Sequence, residues 1–314
     1  MKAVLQYRAS PGFRHKIRKS APKWLDVAVV DESEKDTFRE EMADAVVLLH
    51  VLEKVTGKII QEASNLRLIQ KIGVGVNTID LKTANENDVA VCNMPGTNSR
   101  AVAEMTLALM FGAMRCVPYF DHQMRAGAGW NCGLQSFDGL GEVAGRTVGL
   151  VGYGAVARIL APILRVMGAR VLYNATAPKS DAAAEWRDLP ALLAESDIVS
   201  LHIPLTPETR FLVDATALKS MKPGAVLLNT ARGDLVDEVA LADALRSGHL
   251  RAAGLDVVAI EPAGSDNSLF ALDNVVVTPH IAWLTPETLG RSLKIAFENC
   301  SRLRDGKNLL HRVV

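Results

Sequence analysis

The stretch RTVGLVGYGAVARILAPILRVMGARVLYN, residues 146–174, restricts this chain more than any other segment. An apolar run at 148–151 enters Gly152-Tyr153-Gly154, a helical pattern follows, and a second apolar run ends at Tyr173. Ala157 stands where a third glycine often does. Each small residue has a mechanical reason. Gly152 permits the tight strand-to-helix turn, Gly154 leaves room for a pyrophosphate, and Ala157 lets helix and sheet pack closely. The helix N-terminus then turns free N–H donors toward phosphate charge. Gly152, Tyr153, Gly154, Ala155 and Val156 are therefore candidate dinucleotide contacts. The motif alone is a weak signal; between a strand and a helix it is a strong one.

The end of the second strand departs from the usual pattern. An acidic residue is expected there to bind the ribose hydroxyls of NAD, and this chain has Asn174. Asn can bond a hydroxyl without repelling a 2′-phosphate, and Thr176 and Lys179, which follow, are candidates to contact such a phosphate, although a lysine there is more often simply solvated. NAD(H) is slightly favoured as cofactor and NADP(H) is left open.

Short β-rich runs alternate with helical patterns along most of the chain, as parallel α/β units do. Strands are expected at 27–30, 45–49, 68–72 and 89–92, with a helix at 34–42. Further strands are expected at 148–151, 171–173, 198–201, 226–228, 252–255 and 275–277. One sheet of ten strands would be unusually wide, so two α/β domains are expected. Pro95-Gly96, then Thr97-Asn98-Ser99, then a long apolar helical run places one hinge near residue 97. A second hinge falls near residue 285, before a C-terminal helix that packs back on the first domain. The pentapeptide LTPET occurs at 205–209 and 284–288, and each copy reads as a helix start.

Composition excludes several classes. Thirty-five basic residues balance thirty-five acidic ones, which disfavours nucleic-acid or membrane-surface partners. No apolar run approaches the ~20 residues of a membrane span. Four scattered cysteines carry no zinc spacing, so no metal is expected. A cytoplasmic setting is the expectation.

Three later segments carry chemistry. NTARGDLVDE places Arg232 just past the run at 226–228, GLDVVAIEP places Glu261 past 252–255, and VVVTPHIAW places His280 past 275–277. Singly, each has a plain structural explanation: a surface arginine, a loop glutamate, a capping histidine. Ligands of an open parallel sheet sit outside the carboxyl ends of its strands, so all three converge on the edge that carries the glycine turn.

Together with KIGVGVNTID, PGTNSRAVAE, HIPLTPETR and MKPGAVLLN, these segments resemble the D-isomer-specific 2-hydroxyacid dehydrogenase family over nearly the whole chain. The resemblance implies two Rossmann-like domains. A dinucleotide-binding doubly wound parallel sheet (98–285) would be inserted into a smaller flavodoxin-like substrate domain (1–97 and 286–314), with the active site between them and a homodimer built around the cofactor domain. It implies an NAD(P)-dependent oxidoreductase that interconverts a small 2-oxo acid and its D-2-hydroxy acid, of the glyoxylate/hydroxypyruvate type. Arg232 would bind the substrate's carboxylate and oxo oxygen. His280 would donate the proton, and Glu261 would hold His280, favour its imidazolium form and raise its pKa. Backbone N–H groups of Val74, Gly75 and Val76 would hold the other carboxylate oxygen. Asp256 would meet the nicotinamide amide, with Thr97 and Thr230 near the cofactor.

Two positions depart from the family or stand outside its motifs. Trp283 follows TPHIA where a small residue is common, and either restricts the substrate pocket or packs. His50, after the run at 45–49, is expected to wall the pocket. Two other readings use the same scaffold. A phosphite-type dehydrogenase would keep the Arg–Glu–His trio, whereas a formate-type enzyme would have Gln in place of Glu261. A non-catalytic NAD(H)-sensing binding protein is the third reading.

Overall fold

Among the described residues, every pairing between two named strands is parallel, as short apolar runs buried on both faces require. The computed structural model describes residues 1–133 and 137–314. The chain forms two units, one of Met1–Asn98 with Leu284–Val314 and the other of Ser99–Trp283.

The first unit alternates β1 (Lys2–Gln6), α1 (Pro11–Ser20), β2 (Asp26–Val30), α2 (Lys35–Met42), β3 (Val47–His50), α3 (Gly57–Glu62), β4 (Leu68–Lys71), α4 (Leu81–Glu86) and β5 (Ala90–Cys92). Its strand order, β2-β1-β3-β4-β5, is the flavodoxin-like one.

The second unit begins with α5 (Ser99–Met114) and α6 (Val117–Arg125), then runs β6 (Thr147–Val151), α7 (Ala155–Val166), β7 (Arg170–Asn174), β8 (Glu185–Trp186), α8 (Leu189–Glu195) and β9 (Ile198–Leu201). It continues through α9 (Ala215–Ser220), β10 (Ala225–Asn229), α10 (Glu238–Arg246), β11 (Leu250–Leu255) and β12 (Val275–Val277). The order β12-β11-β10-β9-β6-β7-β8 reverses between β6 and β9, the crevice where such sheets take ligands.

Side-chain alternation builds two cores in the second unit. Val148 and Leu150 of β6 join α5 and α7 on one face, while Val151 joins α8, α9 and α10 on the other. Asp188, Asp214 and Asp237 cap α8, α9 and α10 by accepting first-turn amides, each cap contributing ~1 kcal/mol. No single helix among the described residues is long and apolar enough to cross a membrane. The apolar run at 101–114 lies within α5, most of which is buried.

The last helix, α11 (Pro286–Arg304), belongs to the first unit and starts at the second LTPET, where Thr285 accepts the Thr288 amide. Its buried Asn299 donates to Gln70 Oε1 at 2.6 Å and to the Leu310 carbonyl at 3.0 Å, which fastens the helix to β4. Gln70 donates in turn to the carbonyls of Lys71 and Cys92, so this buried polar pair is well satisfied.

Three features differ from the sequence expectations. Strands β1 and β8 lie outside the apolar runs read from the sequence. The first LTPET makes only a turn. Phe211 adopts a left-handed φ of 54° and gives its amide to Asp234 instead of continuing the turn, so the next helix waits until Ala215.

Candidate active site

The polar residues singled out in the second unit stand at or beyond carboxyl ends of its parallel strands: Asn174 ends β7, and Thr230, Arg232, Asp256, Glu261 and His280 follow β10, β11 and β12. The glycine turn follows β6. Gly152 has φ +95°, and a Cβ there would lie 2.5 Å from the His202 carbonyl oxygen, so only glycine lets the turn pass the end of β9. Gly154 caps α7 with no side chain closing the helix end, and a Cβ built on it meets nothing within 4 Å. Among the described residues, the amides of Gly154, Ala155 and Val156 donate to no other group. Open space, free amides and the positive end of a helix fit a pyrophosphate. Tyr153 is different. Its side chain is buried against Tyr173, which leaves its backbone alone to face a ligand.

Arg232 follows β10 in an extended conformation. Asn229 shapes this turn, since its side chain accepts from the Ala231 amide and donates to the Arg232 carbonyl. Gly233 then passes so near the next loop that a Cβ would lie 2.0 Å from the Val258 carbonyl carbon. The Arg232 turn is thereby packed on the loop that carries Glu261.

Glu261 Oε2 lies 2.6 Å from His280 Nδ1, and Oε1 accepts the Val258 amide at 3.1 Å. Burial alone would raise the Glu261 carboxyl. The His280 hydrogen bond and charge, the Val258 amide and the Arg232 charge outweigh it and hold the group below its ordinary value. Burial lowers Arg232 while the Glu261 charge works against that. Because Nδ1–H donates to Glu261, Nε2 is the His280 nitrogen left for a substrate.

Asp256 supplies an anchor that the sequence did not reveal. It is 1% exposed; Oδ1 accepts from Thr278 Oγ1 at 2.5 Å and the Ile281 amide at 2.9 Å, and Oδ2 accepts from the Ala282 amide at 2.8 Å. Its carbonyl accepts the His280 amide, which steadies His280 in a left-handed backbone with φ 56°. The role visible here is to tie the His280 turn to β11; the expected nicotinamide contact would have to share a carboxylate already met by three donors.

The other expected residues fall as follows. Thr230 is buried and pairs with Thr106 of α5 at 3.1 Å. Thr97, in the first unit, turns its hydroxyl to the Met94 carbonyl. Asn174 spends its amide N–H on the Arg187 carbonyl, leaving Oδ1 as the atom for a hydroxyl. Trp283 is 8% exposed, which agrees with the packing alternative. His50 corrects the expectation of a pocket wall. It is 2% exposed, Nε2 is bonded to the Glu53 carbonyl, and burial with the nearby Lys71 charge pushes it down to about 3. It cannot serve as an acid near neutrality. In the same unit, the amides of Val74, Gly75 and Val76 donate to no other group among the described residues. The carbonyls of Gly73, Val74 and Val76 are held by Met94, Asn93 and Ile79, so the turn is a fixed set of donors.

Residues 107–282 match the family described as D-isomer specific 2-hydroxyacid dehydrogenase, NAD binding domain. The chain belongs to the D-isomer-specific 2-hydroxyacid dehydrogenase family. It is 38% identical over 307 residues to a glyoxylate reductase of Aeropyrum pernix, across 93% of this chain and 91% of that one. It is 42% identical over 273 residues to a D-3-phosphoglycerate dehydrogenase of Mycobacterium leprae, across 85% of this chain and 51% of the relative. The chain thus spans about half the length of the phosphoglycerate dehydrogenases it matches. The TT0316 protein of Thermus thermophilus superposes with a TM-score of 0.90 at 35% identity, covering all of both chains. In family terms, the second unit contains the matched NAD-binding segment, and Arg232, Glu261 and His280 lie on it.

Proposed function

We propose that this chain reduces a small 2-oxo acid to its D-2-hydroxy acid with NAD(P)H, as a glyoxylate/hydroxypyruvate-type reductase. The observation that carries the reading is the 2.6 Å bond between His280 Nδ1 and Glu261 Oε2 beside the charge of Arg232, at the edge that bears the glycine turn. Similarity to a glyoxylate reductase along most of both chains supports the substrate class.

The free amides of Gly154, Ala155 and Val156 would receive the pyrophosphate, and Asn174 Oδ1 a ribose hydroxyl. When bound, the nicotinamide supplies a hydride from C4. Arg232 binds the substrate's carboxylate and oxo oxygen, where a forked cation holds two oxygens at once. The amides of Val74, Gly75 and Val76 take the remaining carboxylate oxygen. His280 gives the Nε2 proton to the oxo oxygen as the carbonyl carbon gains the hydride, so the oxo group becomes a hydroxyl. Glu261 fixes the ring through its hydrogen bond to Nδ1. In oxidation the same nitrogen takes the proton back.

A homodimer in the cytoplasm completes the reading. Val117 and Met124 of α6 and Trp130 are 54%, 49% and 89% exposed, an apolar set that a second copy would cover. The function is tested by following absorbance at 340 nm with glyoxylate and hydroxypyruvate as substrates. Consumption of NADH or NADPH supports it, and none with either cofactor removes it.

A further inference from the structure

The segment after β7 is folded back and fastened at three points. Trp186 Nε1 donates to the Ala175 carbonyl at 3.2 Å, the Lys179 amide to Tyr173 Oη at 2.6 Å, and the Ala183 amide to Tyr153 Oη at 2.8 Å. The two tyrosine rings lie 4.3 Å apart, one from the glycine turn and one from the residue before Asn174. This fastening delivers Asp181 to Arg158 of α7, with Oδ2 2.5 Å from Nη1. The guanidinium lies over the Tyr153 ring, 5.2 Å from its centroid. A cation and its carboxylate therefore stand beside the end of β7, where the adenosine ribose of a dinucleotide is held.

A ribose diol and a ribose 2′-phosphate make opposite demands there. The diol needs an acceptor, which Asn174 Oδ1 provides. The phosphate needs an uncommitted cation and no neighbouring carboxylate. We propose that the Arg158–Asp181 ion pair selects the cofactor: with Asp181 in place the chain prefers NAD(H), and without it Arg158 receives a 2′-phosphate. This rests on the reading that the glycine turn binds a dinucleotide. It adds a residue pair to the two positions, Thr176 and Lys179, that the sequence offered for a 2′-phosphate. Both of those are exposed.

Binding calorimetry tests it without turnover, using NADH, NADPH, 5′-AMP and adenosine 2′,5′-bisphosphate. The wild type is expected to bind NADH at least about tenfold more tightly than NADPH. Asp181→Ala should narrow that ratio by about tenfold, with a matching gain for adenosine 2′,5′-bisphosphate and little for 5′-AMP. Asp181→Asn, which keeps the shape, should shift the ratio in the same direction by less. Arg158→Ala placed on Asp181→Ala should cancel the gain. An unchanged ratio in both Asp181 variants, a wild-type preference for NADPH, or a gain that survives loss of Arg158 overturns the inference alone. Failure of the wild type to bind either dinucleotide overturns the dinucleotide reading with it.

Discussion

Gly233 and Val258 approach so closely that the smallest side chain at 233 would overlap the backbone of 258. This contact packs the turn bearing Arg232 on the loop bearing Glu261, and through Glu261 it reaches His280. Gly233→Ala should force the two loops apart at a cost of ~1–3 kcal/mol, as overpacking does. The measurement is a thermal melt paired with steady-state kinetics. A lowered kcat/KM is expected even at temperatures where the variant stays folded. Unaltered kinetics would mean that the contact does not position the trio.

Glu261→Gln keeps a hydrogen-bond acceptor and removes the charge. Because the wild-type carboxyl is held below its ordinary value, the ionised pair should survive as pH falls through the usual carboxylate range and fail only below it. Reduction at neutral pH should drop on the order of 10²-fold in the variant. The check is a pair of pH–rate profiles. An acid limb in the ordinary carboxylate range for the wild type would argue against the pairing.

In the proposed mechanism each reduction takes up one proton, delivered by His280, and each oxidation releases one. The apparent equilibrium should therefore move toward the 2-oxo acid by about tenfold per pH unit as the solution is made alkaline. End-point absorbance at 340 nm across the neutral-to-alkaline range would show this. A pH-independent end point would count against net proton uptake in the reaction.

His50 titrates at about 3 in the folded chain against ~6.5 when unfolded. The unfolded state thus binds the extra proton between those values. The stability His50 contributes is fully present above the unfolded value and is lost as pH falls toward the folded one, on the order of a few kcal/mol in all. Denaturant midpoints measured from neutral pH to pH 4 should fall less steeply for His50→Gln than for the wild type. Equal slopes would show that His50 is not buried in neutral form.

Much of this was legible in the sequence because it rests on local rules. The glycine turn, the alternation of runs and the position of Arg232, Glu261 and His280 past strand ends follow from geometry that any parallel α/β sheet imposes. What escaped depends on contacts between distant residues. KAVLQ gains its strand identity from β2 and β3 on either side, and Glu185–Trp186 is too short to show a period. Both LTPET copies carry the same helix-start residues; only the Asp234 carbonyl, far along the chain, diverts the first. His50 looked like a pocket residue because it ends a strand, and a strand end says nothing of the loop folded over it. For Asp256 the sequence suggested a cofactor contact but not its anchoring role, since the three donors it meets lie more than 20 residues later.

The most direct test of the central claim is His280→Gln assayed beside the wild type at 340 nm, with dinucleotide binding measured on the same samples. The wild type should reduce glyoxylate or hydroxypyruvate, and the variant should lose on the order of 10²–10⁴-fold in kcat while still binding the dinucleotide. Turnover by the variant at the wild-type rate would contradict the account.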